Sequence, residues 1–291
     1  MQRVGEHAGD QFYLPASKYS FDQLAEIYSQ ARVDYIVPMP MNGKRMEEYV
    51  HAYDVDLSAS VVSLTHESTQ DSSPTGVIML GVRGDRSWVT RLGVIPTQRR
   101  HKVGQFLMEL SIQKSRERKV RQVQLEVIKG NLPAFQLFRK LGFVEIRELL
   151  VIRRPPSEPD AALAPAGLEV TPLDAADLPT YLRRREARLA WTEETPSLLN
   201  SGRLKGLRAR LPSGETGWAI YLVLPFQLAH IVLSPGVSVD MAQALLYEVH
   251  KHHPMYDTKV ENLPREHPAW PAFQKLGYFE AFGRIEMYLT L

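Results

Sequence analysis

Trp88 to Phe143 reads WVTRLGVIPTQRRHKVGQFLMELSIQKSRERKVRQVQLEVIKGNLPAFQLFRKLGF. Val89, Leu92 and Val94 are strand-forming apolar residues that run into Pro96, which cannot continue a central ladder. Thr97 to Val103 then form a polar, basic turn. From Gly104, the residues Phe106, Leu107, Leu110 and Ile112 recur with helical periodicity to about Arg118. Gln122 to Ile128 alternates as a second strand, and Asn131 to Leu141 reads as a second helix closed by Gly142.

A basic loop that opens a helix suits an anion. The first-turn N–H groups lack intrahelical acceptors, and the helix dipole places positive potential there. Arg99, Arg100 and Lys102 add cations, and Gly104 lets a bulky ligand approach the backbone. Such a turn is also read as plain solvated surface. Two linked motifs weigh against that alternative: Val94-x-Pro96-x-x-Arg99-Arg100-x-x-Val103-Gly104, and Leu125-Glu126-Val127-x-x-x-Asn131-x-x-Ala134-x-x-Leu137-Phe138-x-x-x-Gly142-Phe143. With these residues the chain resembles the GNAT superfamily of acetyl-coenzyme-A-dependent N-acetyltransferases.

The resemblance implies an α/β (α+β) fold of two tandem GNAT (acyl-CoA N-acyltransferase) domains. Each would be a mixed, mostly antiparallel sheet flanked by helices. It implies acetyl-coenzyme A as cofactor, its pyrophosphate on Arg99, Arg100, His101, Lys102, Val103, Gly104 and Gln105. The pantetheine arm would lie along Leu92, Gly93 and Val94, with Asn131 bonded to it and Ala134, Phe135 and Phe138 beside it. Val94 N–H is the implied oxyanion donor. Two positions depart from the family pattern. Lys102 stands where the first loop glycine is usual, at a cost of about 1 kcal/mol if that position has positive φ. Phe138 stands where a general-acid tyrosine is frequent.

For the general base, Glu126 on the second strand is the first choice, against the reading of a solvent-facing or salt-bridged side chain; Asp85 and Glu67 are weaker, and His101 belongs to the loop. Asp34, Tyr35, Tyr53 and Asp54, with Met39, Met41, Tyr49 and Asp56 around them, fall where this family builds the acceptor pocket. The same residues also read as core aromatics and turn-forming aspartates. His250, His252 and His253 at a helix end look like metal ligands but suit a helix C-terminus as plain cations.

The rest of the chain fits around this stretch. Phe12 to Leu14 reads as a strand, Phe21 to Ala31 and Lys44 to Tyr53 as helices, and Ser60 to Leu64 and Gly76 to Val82 as strands. A strand pair is expected after Phe143, ending near Ile152. Arg153 to Gly167, RRPPSEPDAALAPAG, reads as a linker between a GNAT domain at 1–152 and a degenerate copy at 168–291. In the copy, a helix is expected near Leu178 to Ala190, with strands near Leu204 to Leu211, Trp218 to Leu224 and Leu228 to Leu233. Ala269-Trp270-x-x-Phe273-x-Lys275-Leu276-Gly277-Tyr278 repeats Ala134-Phe135-x-x-Phe138-x-Lys140-Leu141-Gly142-Phe143 at an offset of 277 − 142 = 135. The copy has Ser234 to Ser238 in place of the basic turn and Glu266 in place of Asn131, so a second coenzyme A is not expected there.

The 291 residues, 44% hydrophobic and 23% charged, give each half a core. A formal charge of +2 is too near zero to imply nucleic-acid or membrane binding by bulk electrostatics, although local basic clusters remain open, and the absence of cysteine excludes disulfides, thiolate metal sites and a cysteine nucleophile. Neither a membrane span nor a signal peptide is read, so the expected place is the cytoplasm. The expected activity is acetyl transfer from acetyl-coenzyme A to a primary amine of a small molecule or peptide, by a monomer or homodimer. The alternatives are a non-catalytic coenzyme-A-binding module and an acyltransferase with another donor.

Overall fold

The computed structural model describes residues 11–291 except 36, 38–39, 67–71 and 186–187. In chain order its elements are β1 (Gln11–Pro15), α1 (Phe21–Ala31), α2 (Gly43–Ala52), β2 (Val61–His66), β3 (Ser72–Arg83), β4 (Arg86–Val94), α3 (Val103–Glu117), β5 (Gln122–Ile128), α4 (Leu132–Lys140) and β6 (Val144–Arg154). There follow β7 (Glu169–Pro172), α5 (Leu178–Leu182), α6 (Thr195–Ser201), β8 (Leu204–Arg210), β9 (Thr216–Leu224), β10 (Gln227–Leu233), α7 (Val239–His252), β11 (Asp257–Pro264), α8 (Trp270–Lys275) and β12 (Phe279–Thr290). They form two compact units, residues 1–146 with 286–291, and residues 147–285.

In the first unit β1, β2, β3 and β4 pair antiparallel in sequence order, and β4 pairs parallel with β5 across α3. Helix α1 starts with a capping box, in which the Ser20 hydroxyl accepts from Gln23 N–H and the Gln23 side chain accepts from Ser20 N–H. Its apolar stripe, Leu24, Ala25, Ile27, Tyr28 and Ala31, is buried, with Phe12, Met46, Val62, Val77 and Met79 in the same core.

The second unit repeats this plan. Strands β7 to β10 pair antiparallel in order, β10 pairs parallel with β11 across α7, and β11 pairs antiparallel with β6. The 135-residue offset is a repeat of backbone geometry. Gly142 and Gly277 close α4 and α8 with φ of 91° and 86°. Beyond each, Phe143 N–H returns to Phe138 O at 3.0 Å and Tyr278 N–H to Phe273 O at 3.1 Å, the 6→1 bond of a left-handed helix cap. A second parallel lies in the sheet, where Arg91 on β4 (φ 51°) and His230 on β10 (φ 49°) sit at bulges ahead of each strand's end.

Three expectations are corrected. The strand pair after Phe143 is the single 11-residue strand β6, because no Gly, Pro or Asn-Gly between Val144 and Arg154 provides a turn. The helix expected from Leu178 to Ala190 ends at Leu182, where the Arg185 guanidinium folds back on the Leu182 carbonyl, and the chain goes on to bury Ala190 and Trp191. The segment 153–167 lies within the second unit, its first two residues as the end of β6.

Candidate active site

Strands β4 and β5 are in register from Arg86↔Gln122 to Val89↔Leu125, and their pairing stops there although both continue. The bulge at Arg91 shifts the β3–β4 register between Thr90 and Gly93. Thr90–Val94 and Glu126–Ile128 therefore diverge, and the β4–β5 ladder does not extend to Leu92, Gly93 and Val94. The cleft ends at the loop into α3. Pro96–Gln98 form a 3-10 turn, Arg99 is extended, and Arg100 (φ 68°) and Lys102 (φ 59°) are left-handed.

Lys102 is the N-cap of α3, and no side chain caps that helix or places an acid in its first turn. The N–H groups of Val103, Gly104 and Gln105 thus point from an uncapped 15-residue helix towards the loop. A Cβ on Gly104 would meet Val94 Cγ2 at 3.6 Å and Leu137 Cδ2 at 3.7 Å, ordinary contacts. Packing within the protein does not demand glycine there. The φ at Lys102 is positive, the condition under which a residue other than glycine is disfavoured there.

Arg99 is committed elsewhere. Its guanidinium makes two bonds to Asp34 at 2.6 and 2.7 Å, and reaches the carbonyls of Val94 at 3.2 Å and Ala31 at 3.3 Å. It ties the turn after α1 to the end of β4, and holds the Asp34 carboxyl below its ordinary range. Arg100, His101 and Lys102 are exposed around the helix start. The Gln105 amide donates to Glu109 at 2.8 Å. Asn131 caps α4, its Oδ1 accepting from Ala134 N–H, and its amide donates to Tyr35 O–H at 3.4 Å. Tyr35 is also covered by Arg32, 3.4 Å from the ring centre. Ala134 and Phe135 are half-buried, and Phe138 is buried against Phe143 with ring centres 6.1 Å apart.

Glu126 stands at the mouth of the divergence, where Trp88 Nε1–H donates to its Oε2 at 2.7 Å. Tyr49 and Tyr53 pack beside Trp88, the three ring centres lying 4.8 to 6.2 Å apart. Arg91 lies 3.8 Å over the Tyr49 ring and donates to the Tyr28 hydroxyl at 3.1 Å. Burial pushes the Tyr49 phenol up to about 12, although Arg91 and the bond to Thr90 Oγ1 act against it. Tyr49 is therefore a neutral hydroxyl. Sequence reasoning placed Tyr53 here but gave Trp88, Arg91 and Tyr28 no role; the alternation of Trp88 with Thr90 was the signal, since both face α2.

Other candidates lie apart from this cluster. Asp54 pairs with Arg83 at 2.6 Å, at the hairpin end of β3 opposite Val94. Asp56 accepts from Ser58, Ala59 and Arg118. Asp85 faces Arg121 at 3.8 Å. Met41 packs against the first core. Met39 and Glu67 lie outside the described residues.

No metal-binding group of three or more His, Cys, Asp or Glu occurs among the described residues. His250 Nε2 meets the Tyr278 hydroxyl at 2.8 Å, His252 Nδ1 the Glu248 carbonyl at 2.7 Å, and His253 Nε2 the Tyr221 hydroxyl at 3.5 Å. The reading of His250 as a cation is corrected: burial, helped by Arg154 and His253, pulls its imidazole down to about 3, so it is neutral.

A model of the Acetyltransferase (GNAT) family matches residues 24–143. This region is similar to the GNAT family. N-alpha-acetyltransferase 30 of Dictyostelium discoideum is 38% identical over 65 residues, which make up 22% of this chain and 35% of the relative. The match thus spans about a third of that relative's length. A GCN5-related N-acetyltransferase of Sphaerobacter thermophilus superposes with a TM-score of 0.68 at 16% identity, over 97% of this chain and 96% of its own. A tandem GNAT protein from the clavulanic acid biosynthesis pathway superposes with a TM-score of 0.66 at 15% identity, over 96% and 98%. At these identities the likeness is one of fold, and it extends the tandem GNAT architecture beyond the matched region to nearly the whole chain. Among the described residues no helix is long and apolar enough to cross a membrane.

Proposed function

We propose that the first unit transfers the acetyl group of acetyl-coenzyme A to a primary amine of a small molecule or peptide. The observation that carries this reading is the divergence of β4 and β5 beyond Val89 and Leu125, which leads directly to the uncapped start of α3. Extended backbone for an amide-bearing arm and free N–H groups for a pyrophosphate are thus contiguous.

Bound there, acetyl-coenzyme A supplies an activated thioester carbonyl. The chain's own groups do the rest. First-turn N–H groups of α3 and the cations Arg100 and Lys102 hold the phosphates, Arg99 joining them by exchanging Asp34 for a phosphate oxygen. Leu92, Gly93 and Val94 bond the arm as an added strand, and the Val94 N–H is aimed at charge developing on the carbonyl oxygen. Glu126 is the carboxylate nearest the cleft mouth that can take a proton from the amine, directly or through water, with Trp88 fixing its orientation. Tyr49, Tyr53 and Tyr35 border the acceptor. Phe138 has no proton to give, but a thiol with a pKa near 8.5 leaves without an acid. The peptide α-amine enters as an acceptor class through the name of the Dictyostelium relative.

Phe138 also favours a second reading, a coenzyme-A-binding module without turnover. The test is calorimetric titration of acetyl-coenzyme A into the wild type and Arg99→Ala/Arg100→Ala, followed by thiol release over a panel of small amines and peptides. One equivalent bound, weakened about tenfold or more in the variant, supports the cofactor site, because charge-assisted bonds are worth roughly 1.5–3 kcal/mol. Binding without turnover across the panel favours the module. No binding at millimolar ligand sinks both.

A further inference from the structure

The second unit repeats the strand divergence of the first but fills its end differently. Strand β10 pairs with β11 only from Gln227↔Asp257 to Ala229↔Lys259, after which His230 and Asn262, with φ of 49° and 59°, turn the two strands apart. Where the first unit has a basic loop and an uncapped helix, Ser238 caps α7, and the Glu215 carboxylate takes both Ser238 N–H at 2.8 Å and its hydroxyl at 2.7 Å. The helix start already holds an anion from the chain itself, so no pyrophosphate is accommodated there.

A cavity of about 370 Å³ remains between the strands. Leu233, Val237, Val260, Leu263 and Phe273 give it apolar walls. Its volume lies at the lower end of small-molecule sites. The polar lining is unequal in charge. Glu193 is held by His230 at 2.8 Å, and Glu261 by Lys259 and by Arg284 at 2.8 Å, so both carboxylates are neutralised within the protein. Arg185, also in the lining, donates to neutral oxygens, the Leu182 carbonyl and the Thr195 hydroxyl, both at 3.2 Å. Arg188 lines the cavity as an exposed side chain. His267 Nδ1 accepts from Ala269 N–H at 3.2 Å, which puts the proton of the neutral ring on Nε2 as a further donor; burial keeps the ring neutral.

We propose that this cavity binds a small amphipathic oxyanion, a carboxylate or phosphate on an apolar body, with Arg185 and Arg188 as its cationic contacts. The apolar body replaces the extended cofactor arm of the first unit, and the anion is met at the rim and not at the helix start. This assignment is independent of acetyl transfer in the first unit.

The test is calorimetric titration of octanoate, octyl phosphate, octylamine and octanol into the full chain and into Arg185→Gln/Arg188→Gln, with urea midpoints as the folding control. The expected result is one equivalent of octanoate, octyl phosphate or both, weakened at least tenfold in the variant, with octylamine and octanol not binding. Octanoate alone identifies a carboxylate ligand and octyl phosphate alone a phosphate. If the double variant does not fold, Arg188→Gln, at an exposed position, must still weaken binding severalfold. The proposal is overturned if neither anion binds at millimolar concentration, if octylamine binds equally, or if folded variants bind as the wild type does.

Discussion

Acid should destabilise the second unit before carboxylates titrate, and His250 should account for a definite share of the effect. Its side chain is fully buried and its imidazole is pulled down to about 3 by burial, with Arg154 and His253 adding to the shift. The unfolded chain takes up a proton near the ordinary histidine value of about 6.5, and the folded unit refuses it. The folded pKa is thus depressed, so the stability is intact above about pH 6.5 and is lost progressively as pH falls towards about 3. At about 1.4 kcal/mol per pH unit, His250 alone removes about 2 kcal/mol between pH 6.5 and pH 5. His253 and His267, also lowered by burial, act in the same direction. His230 has the opposite sign, since Glu193 outweighs burial and raises it; its contribution is complete below about 6.5 and disappears as pH rises through its folded value. The assay is urea denaturation followed by tryptophan fluorescence, because Trp191, Trp218 and Trp270, three of the four tryptophans, lie in the second unit. His250→Gln keeps a polar group near the Tyr278 hydroxyl without the titration, and should lower the pH slope by one proton, about 1.4 kcal/mol per unit between about pH 6.5 and pH 5. Equal slopes in wild type and variant would refute the reasoning.

Two further outcomes follow from the first unit. Lys102→Gly removes the left-handed strain at the N-cap of α3 and should raise stability by about 1 kcal/mol in urea denaturation; a loss of stability would show that the lysine side chain makes up for its backbone. Trp88→Phe withdraws the indole donor from the Glu126 carboxylate and should cost about 1–3 kcal/mol in the same assay, with the acid limb of any amine-transfer pH profile moving upward; an unchanged limb would remove Glu126 from the proton path.

Features coded over short range were legible in the sequence. The helix caps at Gly142 and Gly277 each fit within about six residues, so both showed as a repeated apolar-Gly-aromatic pattern, and the strand–loop–helix order around Arg99 was equally local. Features made by tertiary contact were not legible. Asp34 and Arg99 are 99 − 34 = 65 residues apart in sequence and both were assigned to ligands, yet they bind each other. Glu215 reads as an ordinary hairpin glutamate, and only the fold carries it to Ser238. Strands β11 and β12 escaped because Asn262, Pro264 and Gly283 interrupt their apolar alternation, and sheet pairing outweighs that weak local pattern.

The first unit is not continuous along the chain. Its final residues, 286–291, follow the whole of the second unit, and Leu291 N–H donates to the Arg121 carbonyl at 2.9 Å, closing a contact across 291 − 121 = 170 positions. During synthesis this unit therefore starts to form first and is completed last. Until the ribosome has delivered residues 286–291, the sheet position beside β5 waits unfilled, an exposed edge of the kind that recruits foreign strands. A fragment ending at Ile146 inherits that edge permanently. It should aggregate, and a peptide spanning Glu286–Leu291 supplied in trans should suppress the aggregation.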